Sequence, residues 1–186
     1  MPLPISPLET SRLLLRPLCL DDAEQIQDIF PHWEVVQYMA ATIPWPYPSD
    51  GALTYIRDSA LPAMECGREW HWTLRLRTDP AQIIGCASLR AEIGHNRGFW
   101  LGAAWQRKGL MSEAAEAITD YWFEVLGFDV LRVSKAEDNI GSRRISERSG
   151  MRCVGIHERA YVGGQYASEY WEITATEWKA RRSSSV

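Results

Sequence analysis

Between residues 69 and 77 apolar and polar positions alternate without a break. Trp70, Trp72, Leu74 and Leu76 fall on one face, and Glu69, His71, Thr73, Arg75 and Arg77 on the other. A period of two predicts a β-strand with one buried face. Asp79-Pro80 marks a turn, so residues 82–90 are expected as the hairpin partner and 97–103 as the next strand. The period then changes. Met111, Ala114, Ala115, Ile118, Trp122 and Val125 recur at helical spacing and predict an amphipathic helix over 112–126, closed by Gly127. Residues 130–135 form a short apolar strand. A helix over 139–149 stops at Gly150, and strands 153–161 and 169–176 meet across Gly163-Gly164.

The N-terminal third is less periodic. Residues 12–16 alternate as a first strand. Asp21 and Asp22 offer an acidic N-cap to a helix over 23–30. A loop over 40–48 holds Pro44, Trp45, Pro46, Tyr47 and Pro48. Ser49-Asp50 opens a second helix that runs to about Cys66 and ends at Gly67. Residues 181–186 are expected as a frayed tail. The element order is β-α-α-β-β-β-α-β-α-β-β, an α/β sheet that begins antiparallel and carries a β-α-β crossover in its middle. That crossover makes its two strands parallel and right-handed. Ligands of such sheets bind beyond the carboxyl ends of the strands, here at Trp100 to Gly102 and the loop 106–111.

Composition narrows the class. A length of 186 residues suits one domain, with a core over about 8–178. Hydrophobic content of 46% and charged content of 24% are those of a soluble globule. A net charge of -4 argues against a general nucleic-acid surface. Cys19, Cys66, Cys86 and Cys153 lack metal-ligand spacing, so free thiols and no structural zinc are expected. No apolar run approaches the length of a membrane span, and the first residues lack the pattern of a signal peptide. Cytoplasmic residence follows as the default. The nine tryptophans read first as packing residues.

The chemistry concentrates where the strand over 97–103 enters the following helix. A helix start leaves about four backbone N–H groups unpartnered, and the macrodipole makes that end an anion site. Gly109 admits a ligand close to the backbone, and Arg107 and Lys108 add positive charge. The segment Gln106 to Ser112 therefore reads as a pyrophosphate cradle. It is no P-loop, since no G-K-[ST] follows the glycine. Nor is it a dinucleotide fingerprint, which needs three glycines.

The spacing Gln106-x-x-Gly109-x-Met111 resembles the Q/R-x-x-G-x-G/A motif of the GNAT family of acetyl-CoA-dependent N-acetyltransferases. Gly109-Leu110-Met111 is similar to its ribosomal-protein N-terminal acetyltransferase (RimJ/RimL-like) branch. The run Asn139 to Met151 resembles the family's next element, N-x-x-S-x-x-h-x-E-+-x-G-F/M, and Thr10-Ser11-Arg12-Leu13-Leu14-Leu15-Arg16 resembles its opening strand. The resemblance implies a GNAT-type mixed, mostly antiparallel seven-stranded sheet whose two crossover strands splay to admit the pantetheine arm.

It also implies site roles. The amides of Arg107, Lys108, Gly109, Leu110, Met111 and Ser112, with Gln106, would hold the diphosphate of acetyl-CoA. Backbone groups near Trp100, Leu101 and Gly102 would hold the pantetheine arm and polarise the thioester. Asn139 stands at the position that bonds the cofactor arm; a helix N-cap is its alternative. Ser142 stands at the position proposed to protonate the departing thiolate, because residues 144–148 carry no tyrosine. From the residues alone, Glu69 is a candidate general base at the head of its strand, with His71 on the same face. Glu113 reads as a favourable charge on the helix dipole. Arg143 and Arg144 read as solvated helix charges or contacts to the 3′-phosphate. Residues 45–47 read equally as a wall of the acceptor site, which the resemblance implies, or as a stiff packing loop.

The expected activity is acetyl transfer from acetyl-CoA to a primary amine, either a protein N-terminus or a small molecule, without a metal. The expected partners are acetyl-CoA and the amine, with no nucleic acid and no membrane, and a homodimer is left open. The rival reading is a catalytically silent acyl-CoA-binding module.

Overall fold

The computed structural model of the chain describes residues 5–183. Eight strands form two sheets: β1 (Leu8–Glu9), β2 (Leu13–Pro17), β3 (Glu69–Leu76), β4 (Gly85–Arg90) and β5 (Arg97–Leu101) in that order, and β6 (Val130–Ala136), β8 (Gly164–Thr174) and β7 (Arg152–Tyr161) in the order β6-β8-β7. All hydrogen-bonded neighbours are antiparallel. The expected α/β architecture is present, with one strand more than the seven expected. The addition is β1, a two-residue strand too short to leave a periodic signal.

The helices are α1 (Ala23–Ile29), α2 (Trp33–Val36), α3 (Gly51–Tyr55), α4 (Leu61–Glu65), α5 (Leu110–Asp120), α6 (Ile140–Arg148) and α7 (Ala175–Ser183). A π-turn over Ile56–Ala60 joins α3 to α4, and another over Tyr121–Val125 extends α5. The details differ from expectation: β8 begins at Gly164 rather than 169 and gives way to α7 at Ala175. α5 begins at Leu110, two residues early, because Gly109 itself supplies the left-handed N-cap at φ 74°. Residues 181–183 belong to α7, where Arg181 pairs with Glu116 and stacks on Trp178; the rest of the expected tail, 184–186, lies outside the described residues. α2 was not expected. Asp22 precedes α1 without capping it, because its carboxylate accepts from the Cys19 amide at 2.9 Å and pairs with Arg75 at 2.7 Å.

Helices cover both faces of the five-stranded sheet. Leu13, Trp70, Trp72, Leu74, Leu89 and Leu101 pack with Leu110, Ala114, Ile118 and Trp122 of the α5 side. Leu18, Ile26, Phe30, Val36, Ala52 and Ile56 form a second core on the opposite face. The polar face of β3 is therefore covered too: His71, Thr73 and Arg75 are buried. Alternation identified the strand and its apolar face. It did not reveal that α1 and α3 lie over the other face, as helices do in sheets with crossover connections. Among the described residues, no helix is long and apolar enough to cross a membrane.

Candidate active site

The start of α5 has the backbone of an anion cradle. Arg107 and Gly109 both hold positive φ, 61° and 74°, a region few non-glycine residues enter. The first intrahelical bond runs from the Glu113 amide to the Gly109 carbonyl. Among the described residues, no acceptor meets the amides of residues 107–112, and no side chain caps the helix. Unpaired amides at a dipole end concentrate positive potential. Leu110 and Met111 bury their side chains in the core and leave only backbone to a ligand. The side chain of Gln106 turns back to donate to the Leu101 carbonyl at 3.0 Å, tying the loop to the end of β5.

Arg12, quoted above only as part of a strand motif, completes the cradle. Its Nη1 donates to the Lys108 carbonyl at 2.9 Å, and its Nε meets Glu113 at 2.7 Å. A Cβ placed on Gly109 would stand 3.5 Å from its guanidinium. Glu113 also accepts from the Arg12 amide and the Ser11 hydroxyl. Burial opposes the Glu113 charge, but hydrogen bonds from Thr10, Arg12 and Ser11 outweigh it and take its pKa down to about 2. The residue thus does more than face the dipole: it clamps β2 to α5.

From the cradle a seam leads between β5 and β6. These crossover strands form no ladder and belong to different sheets. Among the described residues, backbone hydrogen bonds link them at one end, where just before β5 the Asn96 amide donates to Arg132 O at 2.6 Å and Asn96 Oδ1 accepts from the Arg132 amide at 2.8 Å. Beyond that point His95 Nδ1 accepts from the Ser134 amide at 3.1 Å, in place of a backbone carbonyl. Burial, with Arg90, Arg159, Lys135 and Arg97 around it, lowers the His95 pKa to about 3, so the ring stays neutral and able to accept.

Register decides which groups of β5 face the seam. Gly102 donates to Ile84 O and Arg90 donates to Asn96 O. In an antiparallel ladder this alternation turns the backbone of Gly98 and Trp100 toward β4, and the amides of Phe99 and Leu101 toward the seam. This corrects the expectation for Gly102. Its amide is spent on Ile84, and its missing Cβ leaves room for the Trp105 ring, which a side chain would meet at 3.0 Å. Trp100 contributes its ring instead, packed on Phe30 at 5.1 Å. Sequence reasoning missed Phe99, because strand parity cannot be assigned before the partner strand is known.

On the other wall, Asn139 caps α6: its Oδ1 accepts from the Ser142 amide at 3.1 Å. That use leaves its Nδ2 for a ligand. Ser142 and Ser146 lie one turn apart and both line the cavity. Arg143 is engaged by Glu147 and Glu169 at 3.2 and 3.3 Å, and Arg144 is exposed.

The seam opens into a cavity of about 640 Å³ roofed by α1, α3 and the loop 38–50. Tyr47 lines it and packs on Phe30, and burial raises its pKa to about 12. Trp45 points away and pairs with Trp33 at the surface, so only part of the expected wall faces inward. His71 lines the chamber under Tyr55, while Glu69 stands behind it, outside the lining, 2.6 Å from His71 Nε2. Burial opposes the charge of Glu69, but the His71 hydrogen bond and Arg90 at 3.6 Å prevail and hold the carboxyl below the usual range. With Nε2–H donated to Glu69, His71 keeps Nδ1 as an acceptor. Among the described residues, no group of three or more His, Cys, Asp or Glu could hold a metal ion.

A cradle at a helix start, two crossover strands parted between sheets and a chamber beyond them agree with comparisons to known proteins. Residues 12–152 match the family described as the acetyltransferase (GNAT) domain. The chain is 30% identical over 83 residues to the uncharacterized N-acetyltransferase YnaD of Bacillus subtilis (strain 168), covering 44% of this chain and about half, 49%, of that protein. It is 29% identical over 157 residues to YoaA of the same organism, covering 80% and 84%. Its fold is similar to that of Mycobacterium smegmatis RimJ in complex with CoA-disulfide, with TM-score 0.76, 17% identity, and 93% and 88% of the two chains covered. The chain belongs to the GNAT acetyltransferase family.

Proposed function

We propose that this protein transfers the acetyl group of acetyl-CoA to a primary amine by direct attack on the thioester. One observation carries the reading: among the described residues the amides of residues 107–112 lack partners at the head of α5, beside a seam that leads toward the cavity. The residues fit the donor. Gly109 offers bare backbone to a diphosphate, and the adjacent Arg107 and Lys108 bring positive charge. Asn139 Nδ2 would bond the pantetheine arm. In this reading the amine acceptor is a protein N-terminal α-amine, as the names of the ribosomal-protein acetyltransferase neighbours suggest, or a small-molecule amine. The enzyme would act in the cytoplasm, alone or as a homodimer.

The chemistry follows from the placement. The amine enters the chamber and loses its proton toward His71 Nδ1, with Glu69 holding the ring and stabilising the imidazolium. An α-amino group, with pKa near 7.7–8.0, needs less help than a lysine-type amine near 10.4. The amides of Phe99 and Leu101 face the forming oxyanion, and one such donor contributes about 3 kcal/mol. Ser142, which lines the cavity with Asn139, would protonate the departing sulfur. A thiol-release assay with acetyl-CoA, tested against tetrapeptides beginning with Ser, Ala or Met and against spermidine, tests the reading. Amine-dependent release supports it. Binding of acetyl-CoA without release would leave a silent acyl-CoA-binding module.

A further inference from the structure

A serine hydroxyl is too weak an acid to protonate a thiolate unless another group restores its proton. Residues 144–148 offer no tyrosine, so the proton must originate elsewhere. One turn below Ser142, Ser146 is fully buried, and its Oγ accepts a hydrogen bond from Lys135 Nζ at 2.7 Å. Lys135 rises from β6, is 5% exposed, and lines the same cavity as Asn139, Ser142 and Ser146. Its ammonium lies 5.2 Å from the centre of the Trp171 ring.

A buried ammonium is costly without a paired charge, and among the described residues Lys135 makes no ion pair. The Glu169 carboxylate is engaged elsewhere: it accepts from Trp171 Nε1 at 2.9 Å and pairs with Arg143 at 3.3 Å. Arg97 of β5 adds a second buried cation, bonded to the Thr119 hydroxyl and the Met151 sulfur, and among the described residues its Nε meets no acceptor. Among the described residues, these two buried cations therefore have no bonded carboxylate.

We propose that Lys135 is the proton source for the departing CoA thiolate, acting through the hydroxyls of Ser146 and Ser142. The inference rests on the acetyl-transfer reading. As the tetrahedral intermediate collapses, the C–S bond breaks and sulfur keeps the electron pair. Ser142 gives its proton to sulfur and regains one from Ser146, which takes one from the Lys135 ammonium, with water closing any gap between the hydroxyls. Lys135 ends as a neutral amine, CoA leaves as the thiol, and water returns a proton to Lys135.

The charges around Lys135 suit this role. Burial and Arg97 depress its pKa to about 7, against weaker opposition from Glu169 of β8, Cys153 of β7 and Glu147 of α6; His95, before β5, stays neutral. An ordinary thiol has a pKa near 8.5, so the transfer runs downhill, and an acid poised near ambient pH is the most effective.

The test uses acetyl-CoA and the best acceptor of the peptide and spermidine panel. In K135M, kcat is expected to fall about a hundredfold, while KM for acetyl-CoA stays within about twofold. K135R keeps the charge but cannot release a proton near neutral pH, so it should fall similarly. The wild-type kcat should decline as pH rises through the Lys135 pKa, and that descending limb should vanish in both variants. If K135M does not fold, S146A carries the test, with an expected kcat loss of about tenfold at unchanged CoA affinity. Wild-type turnover matched by K135M and K135R at every pH would overturn the relay alone. Wild-type protein that releases no thiol with any amine would remove the acetyl-transfer reading and the relay with it.

Discussion

The Arg12 guanidinium meets the Glu113 carboxylate at 2.7 Å, joining the start of β2 to the first turn of α5. The two residues stand 101 positions apart. Their pairing brings the opening strand motif to the anion cradle and holds Arg12 over the Lys108 carbonyl.

Loss of that clamp should show in stability as well as binding. The Glu113 pKa is near 2 in the folded state and about 4.3 when unfolded. A depressed carboxylate stabilises above its unfolded pKa, and the stability is lost as pH falls from about 4.3 toward 2. E113Q should therefore cost about 2–3 kcal/mol at pH 7 and flatten the loss between pH 5 and pH 2, as read by urea denaturation. An unchanged acid limb would refute the clamp.

Gly109 is the most restrictive position of the cradle. G109E adds a side chain at φ 74° and a negative charge where the diphosphate would lie. Acetyl-CoA binding should drop by more than about a hundredfold in calorimetry, since lost charge-assisted hydrogen bonds contribute about 1.5–3 kcal/mol each. Micromolar affinity retained in this variant would reject the cradle.

Ser142 should separate turnover from binding. S142A is expected to lower kcat by about ten- to a hundredfold, while the dissociation constant of CoA changes little, because Asn139 bonds the Ser142 backbone rather than its hydroxyl. Altered affinity with normal turnover would reassign the residue to cofactor binding.

On the acceptor side, His71 meets the chamber and Glu69 supports it. H71N should cost more in kcat than E69Q, with losses on the order of 10²–10³ and 10 respectively. A lysine-type acceptor should suffer more than an α-amine, because its higher pKa makes proton removal harder. Equal rates for H71N and wild type would remove His71 from the proton path.

His95 predicts a second acid sensitivity. Its folded pKa is near 3, against about 6.5 unfolded. The unfolded chain therefore binds a proton first, and stability falls as pH drops from about 6.5 toward 3. H95Q keeps an acceptor for the Ser134 amide without titrating, so its stability should fall less over that range. Parallel stability–pH curves for the two proteins would show that His95 does not anchor the closed end of the seam.

The periodic elements were legible in sequence. Trp70, Trp72 and Leu74 marked β3, and Ala114, Ala115 and Ile118 marked the buried stripe of α5. Local chemistry was legible as well: Asn139 caps α6, and Gly109 takes the left-handed turn that starts α5. Side-chain periodicity and backbone freedom act over a few residues, so the chain states them locally.

The long-range pairings were not legible. Arg12 on Glu113, His95 on Ser134 and Lys135 on Ser146 each join residues from different elements. Strand register decided that Phe99 and Leu101, rather than Gly102, turn their amides to the seam, and packing of α1 and α3 decided that His71 is buried. Sequence specified which segments bend, cap and bury their own faces, because those preferences are short-range. Which buried polar groups meet, and so where a proton can travel, was decided only when the two sheets and their helices closed around the seam, because each partner lies on a different element.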